Sequence, residues 1–218
     1  MRRPAVLFFA WLLFPAFLTG GCQKAYYSAM EKVGVHKRDI MVDRVEEARD
    51  SQQEAKEQFQ SALEQFTAVL SFKGGKLEDK YKTLQAEYER SEARAGEVRD
   101  RIEAVEDVSK ALFAEWEDEL AQYSSKTLRR DSEKKLARTR NQYDQLIRAM
   151  HRAEEKIDPV LKAFRDQVLY LKHNLNAQAI ASLQSELVEV ESDIADLIRE
   201  MEKSIGEANS FIKTMLQE

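Results

Sequence analysis

The sequence predicts an all-α fold: an elongated antiparallel bundle of four long helices with coiled-coil heptad packing. Three observations predict it. The chain of 218 residues holds only 7 Gly and 3 Pro, against usual contents of roughly 7% and 5%. Charged residues make up 33% and apolar residues 43%, a balance suited to long solvated helices. Apolar residues recur at alternating steps of three and four, which lines one face of a helix. The few turn formers exclude sandwiches, barrels and Rossmann-type folds, and the strict spacing argues against disorder.

Residues 1–21 read as an export signal. Arg2 and Arg3 give a positive start, Ala5 to Leu18 an apolar run broken only by Pro15, and Thr19-Gly20-Gly21 a stretch of small residues. The run is short for a membrane span, which needs about 20 apolar residues. The stretch Leu18-Thr19-Gly20-Gly21-Cys22 resembles a bacterial lipobox, and Cys22 is the only cysteine in the chain. The resemblance implies lipidation at Cys22. Thr19 departs from the Leu common at its position, and Gln23 after the cysteine implies transport to the outer membrane rather than inner-membrane retention. The plainer alternative is an ordinary cleaved signal followed by a free thiol. Acyl chains supply about 0.8 kcal/mol per buried CH₂, enough for stable anchoring without a transmembrane helix.

Residues 22–38 form a lead. Tyr26, Tyr27, Met30 and Val33 suit either a membrane interface or packing on the bundle. Residues 39–216 form one helical bundle domain. The breaks are Gly34, Gly74-Gly75, Ser124-Ser125 and Asn174-Leu175-Asn176. Gly takes positive φ, and Ser and Asn cap helix starts.

The first stripe is Met41, Val45, Ala48, Gln52, Ala55, Phe59, Ala62, Phe66 and Val69. The second is Leu77, Tyr81, Leu84, Tyr88, Ser91, Ala95, Val98, Ile102, Val105, Ser109, Leu112 and Trp116. Spanning about 47 residues, that segment extends ~70 Å, so the expected shape is a rod. The third includes Leu136, Thr139, Tyr143, Leu146, Met150, Ala153, Ile157 and Val160, then Phe164, Val168, Leu171 and Leu175. Pro159 lies within it and either kinks a continuous helix, the favoured reading, or starts a new one capped by Asp158. The fourth runs from Ile180 through Leu187, Ile194, Met201 and Ser204 to Met215. Asn174–Asn176 is a turn or a bend.

Sites of chemistry are scarce. Gly74-Gly75-Lys76-Leu77 lacks the first glycine and the hydroxyl of a phosphate loop. His36, His151 and His173 lie far apart, with no metal-binding spacing. Glu115, Glu117, Asp118 and Glu119 around Trp116 read as a solvated face. The expectation is a protein without catalytic residues, metal or cofactor.

Residues 126–140 carry seven basic and two acidic residues, a local net charge of +5 in a chain of −5. Lys126, Arg129, Arg130, Lys134, Lys135 and Arg138 form a candidate face for an anionic partner. Internal matching to Glu115–Glu119 and to the acidic last helix, Glu186 to Glu202, is the plainer reading. An exported acidic chain makes nucleic acid an unlikely partner.

Finally, Cys22 to Gly34 (CQKAYYSAMEKVG), Lys37-Arg38-Asp39-Ile40 and Leu169 to Asn176 (LYLKHNLN) resemble an uncharacterised family of predicted gammaproteobacterial lipoproteins. The resemblance implies a helical envelope protein on the inner leaflet of the outer membrane, facing the periplasm, and no catalytic residues. The expected role is a structural or protein-interaction element. A chaperone-like accessory binding client chains is the alternative. Oligomeric state is left open.

Overall fold

The computed structural model describes residues 26–27, 29–71, 77–174 and 176–217. The signal segment, Cys22, Gly74-Gly75-Lys76 and Leu175 lie outside them. The chain divides into two compact units, Met1–Val35 and His36–Glu218.

In the first unit, residues 26–27 and 29–32 are helical. The rings of Tyr26 and Tyr27 meet edge-on with centroids 5.4 Å apart. The helix ends at Gly34, whose φ of 85° is a left-handed conformation open to glycine. Its N–H bonds Glu31 O at 3.0 Å.

The second unit is a helical bundle. It contains α1 (Lys37–Leu70), α2 (Leu77–Leu120), α3 (Lys126–Glu155), α4 (Ile157–His173) and α5 (Ala177–Gln217). The described residues hold no strand. With 44 residues, α2 is the longest, about 66 Å at the usual rise.

Local chemistry sets the helix ends. The backbone N–H of His36 donates to Asp39 Oδ2 at 3.3 Å, opening α1. Ser125 caps α3 by accepting from Leu128 N–H at 3.4 Å. Asn176 Oδ1 accepts from Ala179 N–H at 2.9 Å to open α5, while Asn174 Nδ2 donates to Tyr170 O at 2.9 Å to close α4. Asn174 and Asn176 therefore each serve one helix end, and α4 and α5 are separate helices.

The favoured continuous kinked helix through Pro159 is corrected. Helicity is interrupted at Lys156 and resumes at Ile157, so the stretch is two helices. Lys156 holds the cap position that the sequence had offered to Asp158. Pro159 is the third residue of α4, where a missing N–H breaks no bond of that helix because the residue four places earlier lies outside it. Lys156 keeps a helical backbone with φ −80° and ψ −14°, so α3 and α4 follow one another along α2. His151 bonds Glu106, and Arg99 pairs with Asp158.

The stripes are the core. All nine positions of the first are buried, including Gln52. Leu84 to Leu112 are buried at each seam position of α2 except Tyr88. Ile157, Val160, Phe164, Val168 and Leu171 carry the third stripe across the break without interruption. In α5 every stripe position from Ile180 to Met215 is buried except Leu187, which is half-buried. Phe164 sits against both Phe59 and Phe66, with centroids 6.4 and 5.8 Å away and near-parallel planes. That contact ties α4 to α1 through the middle.

Inter-helix pairs run in opposite numerical order. Along α1, Lys37, Glu47 and Glu54 meet Glu115, Arg101 and Arg94 of α2. Along the other flank, Arg38 donates to Met215 O, Lys56 pairs with Glu202 and Leu70 O accepts from Gln184. Across α3 and α5, Gln142 meets Thr214 and Arg152 meets Glu200.

Candidate functional site

Two surfaces of the second unit carry distinct chemistry. The first is the basic segment. Lys126, Arg129, Arg130, Lys134 and Arg138 are exposed at the start of α3, and Lys135 is half-buried. Arg129 Nε reaches Glu133 at 2.9 Å and Lys135 Nζ reaches Asp131 at 3.4 Å, one turn away in each case. Arg138 is engaged as well. Arg140 crosses to Glu117 at 2.6 Å and lies over the Phe113 ring at 5.1 Å. That guanidinium holds the Glu117 carboxyl below the ordinary carboxylate range through a direct hydrogen bond. Lys126, Arg130 and Lys134 form no ion pair among the described residues.

The matching to Glu115–Glu119 is thus present at Arg140, while Glu115 is taken by Lys37 of α1. The matching to α5 is absent among the described pairs. Glu200 and Glu202 face Arg152 and Lys56 instead. Beside the basic segment, a hollow of about 380 Å³ is lined by Arg38, Trp116, Leu128 and Ser132. Trp116 Nε1 donates to Ser132 Oγ at 2.8 Å, which closes its floor.

The second surface is a groove of about 570 Å³ between α4 and α5. Pro159, Ala163, Tyr170, Leu183 and Val190 give it apolar walls. Asp166, Glu186, Glu189 and Asp193 edge it with four carboxylates against one cation, Lys162. None of these five makes an ion pair among the described residues. Gln167 also lines it, 5% exposed, with Oε1 buried and without a hydrogen-bond partner among the described residues. The sequence reading counted Glu186 and Glu189 as part of an acidic helix and did not pick out Gln167. The signal available was slight. Gln167 precedes the seam residue Val168 by one position, so it occupies the seam's flank, where α5 is set apart.

His151 carries the described pair of histidine–carboxylate contacts. Its Nε2 lies 3.1 Å from Glu106 Oε1 and its Nδ1 lies 3.0 Å from Glu154 Oε2. Partial burial pulls its pKa down, but the two carboxylates outweigh that and the net shift is upward. No group of three or more His, Cys, Asp or Glu side chains suited to a metal ion occurs among the described residues. No helix among them is long and apolar enough to cross a membrane.

Residues 26–215 match a family described as "Protein of unknown function (DUF2959)". The chain belongs to this family. The match takes in the helical lead and all five helices of the bundle except the last two residues of α5. No curated protein and no solved structure matches the chain.

Proposed function

We propose that this member of the family is a non-enzymatic lipoprotein, anchored through Cys22 on the inner leaflet of the outer membrane. Its bundle faces the periplasm and serves as a structural or protein-interaction element of the envelope. One observation carries the reading: the only cysteine of the chain, Cys22, ends a series that runs from charged Arg2-Arg3 through apolar Ala5–Leu18 to small Thr19-Gly20-Gly21. A lone cysteine in an exported chain has no disulfide partner, and thioether attachment to lipid accounts for it.

The bundle is read as antiparallel, with heptad-spaced seams. The reversed order of pairs along α1–α2, α1–α5 and α3–α5 supports this, as does burial at steps of three and four. An interaction role is supported by the groove, a concave apolar surface with fixed charge at its edge. The groove bears on the chaperone alternative too. Its four unpaired carboxylates select for cationic segments, whereas a binder of unfolded chains in general needs apolar surface without such a bias. The interaction reading is therefore preferred.

The anchor is tested by fractionating cells that express Cys22→Ala. The expected result is loss of the protein from the outer-membrane fraction, with either a soluble product or an uncleaved leader. Outer-membrane recovery equal to wild type would exclude lipidation as the anchor.

A further inference from the structure

We infer that the α4–α5 groove is the docking site for a cationic amphipathic helix of another polypeptide. The inference rests on the interaction reading above but not on lipidation. Its grounds are shape, charge and one unsatisfied polar group.

The groove follows α4 from Pro159 to Tyr170 and α5 from Ser182 to Asp193. Each wall is therefore about three helical turns, ~17 Å long. A third helix laid between two others matches that length, and anchors spaced by three and four residues reach the walls. The walls accept apolar side chains at Ala163, Leu183 and Val190. Ala163 is the small residue that keeps the middle open.

Charge selects the sign of the occupant. Asp166, Glu186, Glu189 and Asp193 lie along both edges and are unpaired among the described residues. Elsewhere in the bundle, Glu47 is answered by Arg101, Glu115 by Lys37, Glu117 by Arg140 and Glu200 by Arg152. Along this groove four boundary carboxylates lack a cation from the facing helix among the described residues. A docked helix with Lys or Arg on its flanks supplies those cations at the solvent-facing rim.

Gln167 supplies the third ground. Its Oε1 is buried without a partner among the described residues, and an acceptor left unmade in this way is unfavourable. A lysine, arginine or serine donor entering the groove satisfies the amide after rotation of its terminal group. The amide then reads the partner rather than burdening the fold.

The test titrates the full-length protein in detergent with a helical peptide of about 16 residues, Leu on one face and Lys on the flanks. A scrambled peptide of the same composition is the control. Binding is read by fluorescence anisotropy. The helical peptide is expected to bind at least about tenfold more tightly than the scrambled one, and to weaken several-fold as salt screens the rim. Glu186→Gln with Glu189→Gln should weaken binding about tenfold while leaving the melting temperature unchanged. Ala163→Trp keeps every charge and fills the groove, so it should abolish binding. Gln167→Leu should raise the melting temperature and weaken the peptide. A merely structural glutamine would not separate those two readouts.

Equal binding of the scrambled peptide, or undiminished binding to both Ala163→Trp and the Glu186/Glu189 variant, would overturn the inference. So would self-association in sedimentation that Ala163→Trp abolishes, because it would assign the groove to a second copy presenting its own Lys126–Arg138 segment. The anchoring experiment with Cys22→Ala is blind to all of these variants, so failure of one reading is distinguishable from failure of the other.

Discussion

Helix α5 meets α3 along one part of its length and α4 along another, and the two contacts differ. Against α3 it is stitched by Gln142 to Thr214 at 3.2 Å and by Arg152 to Glu200 at 3.6 Å. Against α4 the seam residues Leu183, Val190 and Val168 are buried, yet an open groove follows the edge, lined by carboxylates without partners. Both contacts bury residues at steps of three and four. The difference lies one step outside the seam, where flanking residues either cross to the neighbour or stop at solvent. A buried stripe fixes that two helices pack. Flanking charge fixes whether their boundary closes.

The largest test of that contrast places a charge in each region. Ile102 is 2% exposed at the centre of α2, so Ile102→Asp should cost on the order of 4 kcal/mol. At about 2–4 °C per kcal/mol for a chain of this size, thermal unfolding should shift by roughly 10 °C. Val188 is 73% exposed on α5, level with the groove. Val188→Asp should change stability by less than about 0.5 kcal/mol. Equal effects in circular-dichroism melts would remove the distinction between closed core and open edge.

A smaller effect is expected with the opposite sign. Gln52 is fully buried in α1, and neither end of its amide has a partner among the described residues. Ser204 Oγ is likewise unpartnered. The pairs Lys56–Glu202 and Arg49–Asn209 bracket both positions. Gln52→Leu removes two unmade hydrogen bonds at nearly constant volume and should stabilise the fold by about 1–3 kcal/mol. A destabilisation in urea titration would mean that the amide is satisfied in solution.

The smallest effect is pH-dependent. His151 has a folded-state pKa raised above its ordinary value by Glu154 and Glu106, against the opposing effect of burial. Its protonated form therefore favours the folded state. That contribution is fully present below the unfolded pKa of about 6.5 and fades as pH rises through the folded value. Because the ring is 42% exposed, the effect should stay below about 1 kcal/mol. Comparing wild type with His151→Gln in unfolding curves below pH 6 and above pH 8 should show a difference that shrinks at the higher pH. A pH-independent difference would take His151 out of the linkage.

Much of the fold was legible because helices advertise their buried face. Met41 through Val69 and Ile180 through Met215 could be read from spacing alone, since burial recurs every 3.6 residues wherever one side faces neighbours. The polar exceptions were less legible. Ser91, Ser109 and Thr139 sit in the stripes and are buried. Ser109 and Thr139 survive there by donating to carbonyls within their own helix, Glu106 O and Lys135 O. The break at Lys156 was not legible: the stripe runs on from Ala153 through Ile157 to Val160, so the spacing favoured one continuous helix kinked at Pro159. The candidate groove was not legible, because it depends on two faces of different helices being set apart.

The sequence by itself determined the helical class, the seam residues, the caps at Ser125 and Asn176, and the charge of each segment. Those follow from local periodicity and side-chain chemistry, which act within a few residues along the chain. The tertiary structure decided which carboxylates are answered and which are left at an edge. Glu117 meets Arg140 and Glu200 meets Arg152, while Glu186, Glu189 and Asp193 face open groove. That distinction rests on how far apart neighbouring helices lie, and a pairwise attraction that falls with distance cannot be read from one helix at a time.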